Sequence, residues 1–151
     1  MPAEKREFES AVKNAVKLHG HLGPFLVIGV RMGVLAKKML NSQTGVRNRL
    51  RVTVRVPLST PFSCAIDGIQ TTTSCTVGNR RLRVENSKTK IDAYFELLRE
   101  GSSKTLHISV NQRMVQTLTE KLSKGMTNEQ LAAQVASMPE DQLFTLEKGQ
   151  M

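Results

Sequence analysis

What this 151-residue chain has little of narrows its function before any motif is considered. It contains no tryptophan, one tyrosine and five phenylalanines. Proteins that hold single-stranded nucleic acid stack bases on aromatic side chains, so the material for such a platform is scarce. Long apolar runs are absent too. The longest, Phe25 to Val30, is far short of the ~20 residues that span a bilayer, and no charged-then-apolar signal opens the chain. The expectation is a soluble, cytoplasmic protein with no membrane partner. Only two cysteines occur, and in that compartment they read as thiols or metal ligands rather than a structural disulfide. Carboxylates are outnumbered: 13 Asp+Glu against 22 Lys+Arg leave a net charge of +9. This favours an anionic partner, whether a small substrate or cofactor, an acidic protein or, less favoured, nucleic acid. A hydrophobic content of 39% is low but not low enough for disorder, and the length suits one domain over residues 1–151.

Periodicity supplies the elements. Phe8, Ala11, Val12, Ala15, Val16 and Leu18 form a helical stripe from about Glu4 to Leu18. A second helix runs from Pro24 to about Leu40, apolar nearly all round at its start. Gly29 and Gly33, four apart on one face, predict close approach of another backbone. Asn41 to Gly45 reads as a loop. Arg47, Arg49, Arg51, Thr53 and Arg55 then alternate with Leu50, Val52, Val54 and Val56, giving a strand with one apolar and one cationic face. Cys64 to Gln70 reads as a short helix capped by Ser63 and ended by the polar run Thr71 to Ser74. Strands are expected at 81–84, 90–98 and 104–110, the last two joined across Gly101-Ser102-Ser103. Helices follow from Asn111 to about Leu122 and, behind a Thr127–Gln130 capping box, to about Ser137. A last short strand is expected around 143–146. The class is α+β, a mostly antiparallel sheet packed against N-terminal and C-terminal helices.

Chemistry concentrates in two places. His19-Gly20-His21 precedes Leu22-Gly23-Pro24-Phe25, where Gly20 suits the end of one helix and Pro24 the first position of the next. On a helix the two imidazoles would point nearly opposite ways, whereas in this turn both are free to converge. Cys64 stands in the first turn of its helix, where the backbone dipole favours thiolate, with Asp67 on the same face. Cys75 follows just past that helix. Two imidazoles and one or two thiolates suit zinc. The same residues are also compatible with turn-capping histidines and with buried cysteines acting as small hydrophobes. His107 reads as structural within its strand.

These stretches resemble a known family. His19 to Phe25, followed by Val27-Ile28-Gly29-Val30-Arg31-Met32-Gly33, looks like the opening motif of the FmdE-like proteins, the family named for formylmethanofuran dehydrogenase. Ser63 to Gln70 resembles the second motif and Ser74-Cys75-Thr76-Val77-Gly78 the third, in the family's order. The resemblance implies an α+β core, commonly a homodimer, with a metal pocket. It implies His19, His21, Cys64 and Cys75 as ligands, with Asp67 and Gln70 supporting them and zinc as the metal. The family is linked with the molybdenum or tungsten enzyme that reduces carbon dioxide onto methanofuran, hence with one-carbon metabolism. Departures are informative. Gly23 stands where some members have cysteine, so the histidine turn is expected to supply nitrogen only. Gly78-Asn79-Arg80-Arg81 replaces the usual Gly-Lys-x-Asn, Ser74 replaces a glycine, and no paired cysteines follow Cys75.

Three readings result. In the first, His19, His21 and Cys64 bind metal, with Cys75 or water fourth, and Cys64 and Asp67 are the candidate catalytic groups. In the second, the arginine-rich strand face, with Arg80, Arg81 and Arg83, binds an anionic cofactor or nucleic acid. The alternative for those charges is a solvated face that discourages edge pairing. In the third, Cys64 and Cys75 exchange a disulfide, which requires their sulfurs to meet.

Overall fold

The N-terminal stripe closes into helix α1 (Pro2–His19), and the apolar run becomes α2 (Pro24–Met39), whose residues from Pro24 to Val30 are all buried. These and the following elements come from a computed structural model that describes residues 2–40, 49–99 and 101–150. The expected loop at 41–45, and Arg47, lie outside the described residues.

After α2 come β1 (Arg49–Val56), α3 (Cys64–Thr73), β2 (Leu82–Asn86), β3 (Asp92–Arg99) and β4 (Ser102–Val110). Helices α4 (Gln112–Ser123), α5 (Asn128–Ser137) and α6 (Glu140–Leu143) then lead into β5 (Phe144–Gln150). The sheet order is β2-β1-β3-β4-β5. Among the described residues, β1 and β2 pair in parallel, joined through α3, and the other three pairings are antiparallel. The expected α+β class, a mostly antiparallel sheet with helices, is what the chain forms.

Alternation in β1 works as its sequence predicts. Leu50, Val52, Val54 and Val56 are buried, as are Ala93, Phe95 and Leu97 of β3 and Leu106, Ile108 and Val110 of β4. They share one core with α2. The opposite sheet face carries the arginines and remains polar, so period-two patterning divides a packed face from an open one.

Several boundaries differ from the sequence expectation, each for a local reason. The run Thr71 to Thr73 continues α3, because each hydroxyl bonds a carbonyl one turn back: Thr71 to Asp67 at 3.0 Å, Thr72 to Gly68 at 2.8 Å and Thr73 to Ile69 at 2.7 Å. The helix stops at Ser74, which takes a left-handed φ of 61°. Ser63 does not cap; it is itself in the right-handed helical region and its side chain makes no capping bond. Ser102 and Ser103 pair with Arg99 and Leu98 in β4, so the reversal is tighter than the three-residue loop expected, with Gly101 at φ 80°. Asn111, expected as the first residue of its helix, stands just before α4, its amide donating to the Gln142 carbonyl at 2.8 Å. The Thr127–Gln130 capping box forms in both directions.

Two packing features position the chemistry. Gly29 and Gly68 bring α2 and α3 into backbone contact: a Cβ on Gly29 would lie 2.1 Å from the Ala65 carbonyl oxygen, and one on Gly68 2.4 Å from that of Leu26. Gly33 faces Thr72, whose Oγ1 a Cβ there would meet at 1.7 Å. The close approach expected of Gly29 and Gly33 is thus found, and its partner helix is the one that starts at Cys64. Arg31 reaches from α2 to the C-terminal end of α5, donating to the carbonyls of Val135 at 2.8 Å and Met138. A guanidinium suits the negative end of a helix.

Candidate metal centre

His19 is the last residue of α1. Gly20, at φ 104°, donates its N–H to the Val16 carbonyl at 2.7 Å and turns the chain. Gly23, extended at φ −154°, precedes Pro24 at the first position of α2. His21 stands between these two stops. The turn brings the imidazoles together, their centroids 4.6 Å apart and their planes 30° from parallel. Cys64 arrives at the same place from α3, held by the glycine contact between α2 and α3.

One ligand atom from each of His19, His21 and Cys64 lies within 4.8 Å of the others. Ligands on one tetrahedral zinc, at about 2.0–2.3 Å from the ion, stand roughly 3.4 Å apart, so small side-chain movements would close the set. Cys64 is 6% exposed and His19 half-buried, while His21 faces solvent. A metal here would therefore be sheltered on one side and approachable on the other.

Of the two turn histidines, His19 is the more enclosed. Its Nδ1 lies 2.7 Å from Asp67 Oδ2. Its Nε2 is buried without any hydrogen-bond partner. A buried ring nitrogen with no partner costs free energy unless something binds it. With Nδ1–H donating to the carboxylate, Nε2 is left as the lone-pair nitrogen, the arrangement seen in metal-ligating histidines. The donor set and the orphaned nitrogen together fit a bound metal ion.

Electrostatics at Cys64 differ from the sequence expectation. Burial, followed by the nearby Asp67 charge, pushes the thiol pKa up, and the backbone hydrogen bond at the helix start only partly offsets this. A helix N-terminus favours thiolate when the sulfur is solvated, and here it is not.

Among the described residues, no fourth His, Cys, Asp or Glu joins the group. Cys75 is buried elsewhere, its Sγ donating to the Leu50 carbonyl at 3.1 Å at the start of β1. Burial also pushes its pKa up. Both cysteines are free thiols. Gln70 lies further along α3, half-buried. His107 belongs to β4, where Nε2 lies 2.8 Å from Asp92 Oδ2. Arg55 completes that second constellation, its Nε and one terminal nitrogen donating to the two Asp92 oxygens at 3.0 and 2.6 Å. Asp92 is 2% exposed. Burial pushes its carboxyl up, but the bonds and charges of Arg55 and His107 outweigh that and hold its pKa below the ordinary value. Sequence reading missed this network. Its one signal was an aspartate within an expected strand; the sheet register is what sets it across from Arg55.

The family model described as "FmdE, Molybdenum formylmethanofuran dehydrogenase operon" matches residues 18–145. That range contains every candidate residue named above. A curated relative from Archaeoglobus fulgidus, named a probable S-adenosyl-L-methionine-binding protein, is 34% identical over 68 residues, which are 45% of this chain. The aligned part spans only 18% of that relative's length.

Proposed function

Because the chain belongs to the FmdE family, whose description names the molybdenum formylmethanofuran dehydrogenase operon, we propose that it is a zinc-binding protein of that association. Its ligands are His19 Nε2, one nitrogen of His21 and the Cys64 sulfur. The observation that carries this reading is the buried, unpartnered Nε2 of His19 beside a second imidazole and a thiol. Asp67 is the positioning residue, fixing the tautomer and ring orientation of His19 through the 2.7 Å contact. Cys75 keeps a packing role, since its Sγ is engaged with the Leu50 carbonyl. Bound to three protein ligands, zinc would offer a Lewis-acid centre with a position left for water or a substrate oxygen. Exposure of His21 leaves a route to that position. Asp67, with its side chain 35% exposed, can also accept a proton from an arriving group. The operon link concerns the family and specifies no reaction for this chain.

Metal content after purification and zinc loading tests the reading. The unaltered chain and Cys75→Ala are expected to hold one zinc per chain, while His19→Ala and Cys64→Ala lose it. A chelator should lower the thermal midpoint of the first pair only, because a metal that binds the native state stabilises it. Zinc retained by Cys64→Ala but lost by Cys75→Ala would reverse the ligand assignment.

A further inference from the structure

The polar face of the sheet holds a second feature, independent of the histidine–cysteine group. A depression of about 400 Å³ is lined by Arg51, Arg80, Arg81, Arg83, Tyr94 and Glu96, among others. Its size falls in the range of about 300–1,000 Å³ typical of ligand pockets. Strand register explains the gathering. Parallel pairing sets Arg83 beside Thr53, and antiparallel pairing continues that row to Tyr94 and His107. Further along the same face, Arg51 stands across from Glu96.

These cations are free in a way that their neighbour is not. Arg55 is held in an ion pair with Asp92. Arg51, Arg80, Arg81 and Arg83 form no ion pair with another described residue. All four are exposed. Glu96 is the one carboxylate among these lining residues, so the local balance stays strongly positive. Arg80 adds a second observation. It takes a left-handed φ of 67°, a strained conformation for a residue with a Cβ, and such strain persists only where surrounding structure imposes it. Asn79 imposes it here. Its side-chain oxygen accepts from the N–H groups of Thr76 at 3.0 Å and Arg81 at 3.1 Å, and its amide donates to the Ser74 carbonyl at 2.7 Å. The turn fixes the backbone from which Arg80 and Arg81 line the depression.

Tyr94 supplies a flat surface. Its ring stacks on His107 at 3.9 Å and 2° from parallel, and the Arg55 guanidinium lies 5.5 Å from its centroid. Asp92 anchors both of those partners, so the ring is kept in place while 46% of the residue stays exposed. Guanidiniums recognise phosphate oxygens, and an exposed aromatic ring offers a surface to a planar ring.

We propose that this depression binds a small phosphorylated aromatic molecule of nucleoside-diphosphate type, with its phosphates on the arginines and its ring on Tyr94. A nucleic-acid strand fits less well. A strand needs successive stacking surfaces, and Tyr94 is the chain's single tyrosine, with no tryptophan.

Calorimetric titration of the full chain with ADP, inorganic pyrophosphate and adenosine, at low salt, tests the assignment. Tyrosine fluorescence gives a second readout, because in this chain it reports Tyr94 alone. ADP should bind, pyrophosphate should bind more weakly and adenosine should show no binding. Joint replacement of Arg51→Gln and Arg83→Gln should weaken both phosphate ligands by at least about tenfold. Tyr94→Leu should weaken ADP about tenfold and leave pyrophosphate unchanged. Circular dichroism checks that each variant folds. The assignment is overturned if neither phosphate ligand binds the unaltered chain, or if either set of substitutions leaves ADP affinity intact. It is also overturned if an oligothymidylate binds more tightly than ADP with affinity rising with length, the behaviour of a nucleic-acid track.

Discussion

Replacing Asp67 tests the metal centre at its most specific joint. The carboxylate is not itself one of the proposed ligands and stands one bond removed from them, 2.7 Å from His19 Nδ1. If it orients the ring, its loss must appear in metal affinity although all three ligands remain. Removing such a partner typically costs about 10–100-fold in affinity, or roughly 1.4–2.7 kcal/mol. With its side chain 35% exposed, water can replace part of the lost bond, which places Asp67→Ala near the lower bound, at about tenfold. Asp67→Asn retains an oxygen acceptor but loses the charge. Charge-assisted bonds are roughly twice as strong as neutral ones, so about threefold is expected. Competition for zinc between each variant and a chromophoric chelator at neutral pH measures both, with circular dichroism verifying the fold. The order should be unaltered chain, then Asn, then Ala. Equal affinity for the unaltered chain and Asp67→Ala would refute the orienting role, and Asn weaker than Ala would refute the hydrogen-bond account of it.

Two further outcomes probe the scaffold. Gly68→Ala adds a methyl group 2.4 Å from the Leu26 oxygen and 2.5 Å from the Val30 nitrogen. These are backbone atoms that cannot rotate away, so overpacking of about 1–3 kcal/mol should exceed the roughly 1 kcal/mol gained in helix propensity. A lowered thermal midpoint together with weaker zinc binding is expected, because Cys64 moves with α3; a higher midpoint would show that α2 and α3 separate easily. Asp92→Asn removes the anion between Arg55 and His107. Its depressed pKa means that this carboxylate stabilises the fold fully above its unfolded value of about 3.9 and loses that contribution as pH falls through the lower folded value. Urea melts should therefore separate the variant from the unaltered chain at pH 7 and bring them together in strong acid. A gap that stays constant with pH would exclude that linkage.

Much of the fold was legible because its signals are local. Period-two alternation in β1 separated an apolar face from an arginine face, and the Thr127–Gln130 box marked the start of α5. Local reading failed where a side chain chose among neighbouring backbone partners. The threonines after Gln70 read as a helix stop, yet each satisfies its hydroxyl one turn back and carries α3 to Thr73. Ser63 read as a cap but sits inside a helical turn.

At the candidate site, the chain by itself left His19 and His21 free to converge, because Gly20 ends one helix and Pro24 begins the next. It also placed Cys64 and Asp67 on one helical face. Tertiary structure alone decided that this face meets the histidine turn, since that depends on Gly29 and Gly68 allowing two backbones far apart in the chain to touch. It likewise set the two cysteines in different surroundings. Spacing left both Cys64 and Cys75 as candidates, whereas packing set one thiol beside two imidazoles and turned the other to the Leu50 carbonyl. Spacing along a chain constrains neighbours within a turn or a strand, and the partner of a buried sulfur is set by whichever distant backbone closes over it.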